Sequence, residues 1–341
     1  MRIREVVVTG QRQVELMERE LDAKPGPGEI LIETERTFIS AGTELANYMG
    51  RDQNVFKPGA WCAYPWRSGY GNVGIVRELG PGVTRAKLGQ RVFTYGNHAS
   101  FVRYDAEGRL VIPVPEGLDP VVAAASRMAG VAFTALILAE IRGAPWTVVF
   151  GLGAVGNLAA QGFVGRGCRV IGVDPVEARR SLAQRCGIAT TVGGTAEEVR
   201  KRIGELTGGA KAAIAVDAVG HSAVVREAVA VSAPFGQVIL LGSPRVPVEA
   251  NLTDLLSPVH TGFLVVRGAL EWCLPMYPGL GTGISQYEKQ AMIFDWLARG
   301  RLALEPLISH RLPPARIKDA YEGLETRQDT FTGVALDWSA H

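Results

Sequence analysis

Cysteine is scarce in this chain, and no two of its four cysteines stand near each other in sequence. Cys62, Cys168, Cys186 and Cys273 form no C-x-x-C pair, which argues against a disulfide framework and against a cysteine-rich zinc site. Neither sign of charge is in surplus: 36 Lys and Arg against 34 Asp and Glu leave a net charge of +2. No basic run interleaves with aromatics, so nothing indicates nucleic acid as a partner. The start, Met1-Arg-Ile-Arg-Glu-Val6, lacks the apolar core of a secretory signal. One long uncharged run exists, from Thr147 to Gly165, but its glycines and its strand-then-helix pattern argue against a membrane span. The expectation is a cytoplasmic protein without a membrane. Internal repeats, low-complexity tracts and heptads are missing too.

What the chain has is glycine, 41 residues of it in 341, most tellingly in Thr147-Val-Val-Phe-Gly-Leu-Gly-Ala-Val-Gly-Asn157. An apolar, partly β-branched segment runs straight into Gly151, Gly153 and Gly156, and a segment able to wind as a helix follows. In the G-x-G-x-x-G spacing the first glycine turns the chain off a strand. The second leaves room for a pyrophosphate, and the third lets helix and strand pack closely. The helix N-terminus then offers N–H groups and partial positive charge to phosphates. Leu152, Ala154 and Val155 complete the turn. Cys168 to Val173 reads as a second strand, and it ends on Asp174 and Pro175. An acid there can accept the ribose hydroxyls of NAD and would repel the 2′-phosphate of NADP. NAD is therefore expected, with Arg179 and Arg180 close enough to leave NADP open.

Length alone suggests two domains. Up to Pro115 the chain shows short strands punctuated by glycine turns, an irregular β-rich pattern. From Val121 the spacing becomes helical, and alternating strands and helices follow, implying a parallel sheet covered on both faces. Helices are expected at 179–186, 197–206 and 222–231, with strands at 213–220, 236–242 and 263–268. Ligands of such sheets sit outside the strands' carboxyl ends. Ala218, Val219 and Gly220, then Leu241, Gly242 and Ser243, then Gly268 and Ala269 occupy those ends and are candidate cofactor-lining residues, although their glycines can equally serve as turns. The expected division is 1–122, 123–268 and 269–341. The last part is expected to return to the first domain, leaving an active cleft between two lobes.

Taken in order, Pro25-Gly-Pro-Gly-Glu29, Ala41-Gly-Thr-Glu44, Gly69-Tyr-Gly71, Leu88-Gly-Gln-Arg-Val92, the glycine turn and Asp174 make the chain resemble the medium-chain dehydrogenase/reductase family. These are the alcohol dehydrogenase-like proteins, and the likeness covers essentially the whole chain. It is nearest to the branch carrying Ser-Ala-Gly-Thr-Glu, here Ser40 to Glu44, which includes proteins similar to the bacteriochlorophyllide hydroxyethyl dehydrogenase. The resemblance implies an α/β protein, a Rossmann doubly wound parallel sheet joined to an irregular β-rich GroES-like catalytic domain. It also implies a homodimer, with a tetramer as the alternative, paired through the edge strand Phe263–Arg267.

Departures from the family pattern bear most on chemistry. Ala41 fills the position of a zinc-binding cysteine, Gly69-Tyr70-Gly71 replaces Gly-His-Glu, and the third ligand position falls near Arg127. The cysteine-rich structural lobe is missing, since Tyr95 to Ser100 runs directly on from Phe93. A methyl, a phenol and a guanidinium do not make a zinc site. No metal is expected, and hydrogen-bond donors must then stabilise a developing oxyanion. Tyr70, matched to the family's zinc-binding histidine, is the first candidate, or else an aromatic packed in the wall. Thr43 matches a proton-relay hydroxyl, or caps the helix that follows. Glu44 orients Arg127, acts as acid or base, or forms a structural ion pair. Arg127 can hold an oxyanion, and His98 can relay protons or be a satisfied strand histidine. Tyr48, Trp61 and Trp66 are candidates for the substrate wall, with core packing as the equal alternative. The expected activity is zinc-independent hydride transfer between NAD(H) and a small-molecule secondary alcohol or ketone. The alternative is an NAD(P)H-dependent quinone or enoyl reductase.

Overall fold

The structure, a computed structural model, describes residues 1–281 and 283–339. Its chain divides into two compact units. The first takes Met1–Arg127 and two later segments beginning at Leu274 and Leu307, and the second takes Met128–Cys273 and Gly300–Pro306. The expected boundaries at 122/123 and 268/269 thus move to 127/128 and 273/274. Helix Pro120–Leu138 runs through the first boundary unbroken, so the onset of helical spacing marks where the helix starts and not where its packing partners change.

In the first unit, β1 (Arg2–Gly10) and β2 (Gln13–Glu20) form a hairpin, and β3 (Glu29–Phe38) follows. A short helix α1 (Thr43–Tyr48) leads to β4 (Trp66–Arg67) and β5 (Asn72–Leu79). Then come β6 (Arg91–Thr94), β7 (Phe101–Asp105) and β8 (Val111–Pro113), and α2 (Pro120–Leu138) leads out. Val6 and Val8 of β1 point into a core shared with Ile39, Leu45, Tyr321 and Trp338.

The second unit alternates strictly. Its first half is β9 (Trp146–Phe150), α3 (Ala154–Gly165), β10 (Arg169–Val173), α4 (Glu177–Arg185), β11 (Thr190–Val192) and α5 (Ala196–Leu206). Its second half is β12 (Ala212–Asp217), α6 (Ser222–Val231), β13 (Ser232–Leu240), α7 (Leu252–Thr261) and β14 (Val265–Gly268). All six strands are parallel in the order β11-β10-β9-β12-β13-β14. The chain therefore starts at the middle, builds outward one way, and returns to build the other way. That reversal beside β9 is where an open parallel sheet places its ligand.

The later segments supply α8 (Gln286–Ala298), β15 (His310–Leu312), α9 (Ile317–Thr326) and β16 (Val334–Asp337). β16 pairs with β3 and completes a seven-stranded mixed sheet that also holds β5, β6, β7, β8 and β15. The sequence-based expectation of a doubly wound sheet plus an irregular β-rich domain describes this architecture. The one helix long and apolar enough to cross a membrane among the described residues is α2, and most of it is buried inside the protein.

Candidate functional site

Two groups of side chains carry the chemistry, one in each unit. In the second unit, β9 ends on Phe150 and the glycine turn follows. Gly151 has φ +87°, and a Cβ there would lie 2.7 Å from Val219 Cγ2, so only glycine suits the turn. A Cβ on Gly156 would fall 1.8 Å from the Gly151 carbonyl oxygen; helix and turn touch backbone to backbone. Gly153 differs. It is the N-cap of α3, it makes no side-chain cap bond, and a Cβ there would meet nothing within 4 Å. The first amides of α3 thus face an open side without a capping side chain, which is what a phosphate requires.

Asp174 follows β10 and is buried. Its Oδ2 accepts the Leu152 N–H at 2.8 Å and its Oδ1 accepts the Val176 N–H at 2.8 Å, tying the end of β10 to the turn. Two carboxylate oxygens offer about four acceptor directions, so capacity remains for ribose hydroxyls. Arg179 reaches the same carboxylate at 3.7 Å. Arg180 turns inward: it donates to the Asp174 and Pro175 carbonyls at 2.6 and 2.9 Å and pairs with Glu177. Its charge is engaged locally, which weakens the case for a 2′-phosphate there.

The remaining candidates of this unit gather on neighbouring strand ends. Val219 and Gly220 donate their N–H groups to Asp217 Oδ1 at 2.9 and 3.0 Å. A Cβ on Gly242 would lie 2.2 Å from Gly220 N, so the ends of β12 and β13 approach backbone to backbone. Ala218 precedes this contact, and Leu241 and Ser243 flank Gly242. Gly268 closes β14, and the Ala269 N–H returns to the Leu240 carbonyl at 2.9 Å. A depression of about 160 Å³ lies beside Asp174, lined by Phe150, Val173, Pro175, Val199 and Val231 with the Arg200–Glu227 ion pair. Of these only Pro175 was singled out from the sequence, because apolar strand ends look like any other core residue there. Asp217 likewise reads in sequence as an ordinary strand residue; burial pushes its carboxyl up, opposed by the Val219 and Gly220 N–H groups.

In the first unit, Glu44 is the centre of a buried polar cluster, with no exposure to solvent. Its Oε1 accepts the Ser40 N–H at 2.8 Å, and its Oε2 accepts the Tyr321 O–H at 2.7 Å. His98 Nε2 lies 3.0 Å from Oε2. A carboxylate only accepts, so this geometry places the imidazole proton on Nε2. His98 is itself fixed by backbone bonds, its N–H to Ser68 and its carbonyl to Val6. Burial pushes the Tyr321 phenol well up, and the neighbouring Glu44 charge adds to that, so Tyr321 remains a donor. Of the alternatives for Glu44, orienting Arg127 is not what the structure shows: its partners are the Ser40 N–H, His98 and Tyr321. Tyr321 comes from α9, far along the chain, and no local pattern announces it.

Arg127 belongs to a second set. Its Nε donates to the Tyr70 carbonyl at 3.1 Å, and its guanidinium carbon lies 4.5 Å from the ring centroids of both Tyr70 and Tyr95. Gly71 makes room, since a Cβ there would stand 2.9 Å from Arg127 Cβ. The Tyr70 O–H donates to Ser40 Oγ. Burial pushes the Tyr70 phenol up, while Arg127 and the Ser40 and Thr43 hydroxyls hold it down. Thr43, the first residue of α1, thus stands beside the phenol. Ala41 is adjacent in sequence, and among the described residues no three His, Cys, Asp or Glu side chains gather to hold a metal. At the three matched positions the donor set is wrong for zinc: a methyl, a phenol and a cation.

Tyr48 and Trp66 take the core-packing alternative, with Trp61 beside them. Tyr48 is buried edge-on against Tyr321, with ring centroids 5.1 Å apart, and Trp66 lies in the same core. The pairing of Trp66 with Val8 in β1 turns its indole inward. Trp61 packs on Trp66 but remains 61% exposed.

Comparisons with known proteins agree with this architecture. A family model described as "Zinc-binding dehydrogenase" matches residues 154–271. A quinone oxidoreductase of Pseudomonas aeruginosa is 29% identical over 327 residues, covering 92% of this chain and 93% of the relative. An L-threonine 3-dehydrogenase of Bacillus velezensis is 26% identical, over 86% of this chain and 89% of its own length. Among solved structures, a short chain alcohol dehydrogenase from Escherichia coli in complex with NADH superposes with a TM-score of 0.81 at 19% identity, over 98% of this chain and 99% of that one. An acetophenone reductase from Geotrichum candidum in complex with NAD gives 0.78 at 20% identity, over 100% and 98%.

Proposed function

Because the chain belongs to the medium-chain dehydrogenase/reductase superfamily of oxidoreductases, we propose that it transfers hydride between NAD(H) and a secondary alcohol or ketone without zinc. The observation that carries the cofactor half is the open face at Gly153, set over the uncapped start of α3 and joined to Asp174 through the Leu152 N–H. These amides would bind the pyrophosphate and Asp174 the adenosine ribose. The apolar depression of Phe150, Val173 and Pro175 would seat the adenine ring. Bound nicotinamide supplies or takes up a hydride. The chain's own task is the proton: Tyr70 would hand its phenolic proton to the carbonyl oxygen, with Arg127 packed on its ring to favour the anion left behind.

A quinone or enone reductase is the second reading, favoured by the name of the Pseudomonas relative. Two measurements test the pair. Titration with NADH and NADPH should give binding, tighter for NADH; no binding of either removes both readings. Turnover of a ketone panel and an enone panel then separates them, and turnover confined to enones decides for the second.

We further propose a homodimer built on β14. Among the described residues this outermost strand pairs only with β13, and Val265 and Val266 are exposed on it. Phe235 and Phe263 stack at 4.9 Å nearby while 74% and 64% exposed. An unpaired apolar edge invites pairing, and a second copy offers the same edge. Light scattering behind size exclusion should report a dimer, and Val266→Lys should shift it to monomer. A monomeric native protein would end this idea.

A further inference from the structure

Ser40 has no role in the chemistry above, yet its hydroxyl and its backbone are both engaged in the buried cluster. It is buried, its oxygen receives the Tyr70 O–H, and its N–H is fixed at 2.8 Å on Glu44. Glu44 is held in turn by His98 and Tyr321. His98 also packs beneath the residue before Tyr70, for a Cβ on Gly69 would sit 2.4 Å from its backbone nitrogen. One buried carboxylate therefore anchors the backbone of Ser40, and its partner His98 packs against the segment between β4 and β5 that carries the phenol. A methyl at position 40 would fill the space but would remove the acceptor of the Tyr70 O–H.

A serine hydroxyl has lone pairs to accept with and one rotatable proton to donate. We propose that Ser40 is a positioning residue that makes Tyr70 a reversible proton donor, accepting from the phenol and donating to the phenolate. The inference rests on the reading of Tyr70 as the proton donor. In the step concerned, a ketone gains a hydride at carbon from reduced nicotinamide and a proton at oxygen from Tyr70. The Tyr70 O–H bond breaks, and its electron pair stays on the phenolic oxygen. The Ser40 proton remains covalently on Ser40 and turns to bond that oxygen. Water then returns the missing proton to Tyr70. Around the phenol stand Arg127 from α2, Thr43 and Glu44 from α1, and beyond them His98, Tyr95 and Tyr321 from α9. Of the two hydroxyls beside the phenol, Ser40 is the one whose backbone N–H is held by Glu44 and whose oxygen accepts the Tyr70 O–H.

The test is the ionisation of Tyr70 in protein carrying 3-fluorotyrosine, which ionises at lower pH than tyrosine, followed by fluorine NMR. Tyr70→Phe identifies its resonance among the eight tyrosines. Ser40→Ala should raise the midpoint by about one pH unit, tenfold in the ionisation constant, as expected for losing a hydrogen bond to a charged oxygen. Ser40→Thr should return it to near the native value. An unmoved midpoint in Ser40→Ala, or one equally displaced in Ser40→Thr, overturns the proposal. Should Ser40→Ala fail to fold, Ser40→Cys takes its place; its weak S–H donor should give a smaller rise, and no rise overturns the proposal. The underlying reading fails separately, if Tyr70→Phe keeps native ketone turnover whatever the titration gives.

Discussion

Glu44→Ala should lower the stability of the first unit by about 3–5 kcal/mol, because three buried donors lose their shared acceptor. The expectation follows from counting donors. Ser40 N–H, His98 Nε2 and Tyr321 O–H all end on this carboxylate, and no water reaches it. Each buried donor left without an acceptor costs about 1–3 kcal/mol. Glu44→Gln, which retains one acceptor oxygen, should lose less. Urea unfolding followed by tryptophan fluorescence reads both variants. A loss below about 1 kcal/mol for Glu44→Ala would mean that the three donors find other acceptors, and the cluster would no longer explain why Ser40 and Tyr70 sit where they do.

Tyr70→Phe should cut kcat/KM for ketone reduction by about 10²–10³-fold, the usual cost of deleting one oriented donor to a developing oxyanion. The ring survives the change, so Arg127 keeps its packing on positions 70 and 95, and the fold should hold. NADH affinity should stay the same, because the glycine turn and Asp174 lie in the other unit. Steady-state kinetics beside a binding titration separates the two effects. Undiminished ketone turnover would take the phenol out of the mechanism.

Much of the second unit could be read directly from the chain. Its strands are apolar runs and its helices begin on clear signals, so the expected helix at 222–231 coincides with the observed one. Local spacing alone determines such elements. Helix α7 is harder to read: Leu252, Leu255, Leu256 and Val259 recur at helical spacing, but the segment is short, contains Pro258 and fully buries none of its residues. Strand β2 likewise carries Glu15, Glu18 and Glu20 on a largely exposed ribbon. The polar cluster was half legible. Ser40, Glu44, Tyr70 and His98 fall within one stretch that the family resemblance covers, but Tyr321 arrives with the returning chain, and spacing says nothing about so distant a contact. For Tyr48 and Trp66 the sequence leaves substrate wall and core packing equally open. An aromatic side chain looks the same in sequence whether it lines a cleft or fills a core, and here β1 and α9 decide for the core.

The three glycines of the turn answer to different masters. A methyl at 151 or 156 would collide with the protein itself, whereas one at 153 would collide with nothing the chain contains. A screen for correctly assembled protein should therefore purge variants at the outer two and pass those at the middle one. Only a screen for the guest would notice the difference, so tolerance at this single position distinguishes what the architecture demands from what its visitor demands.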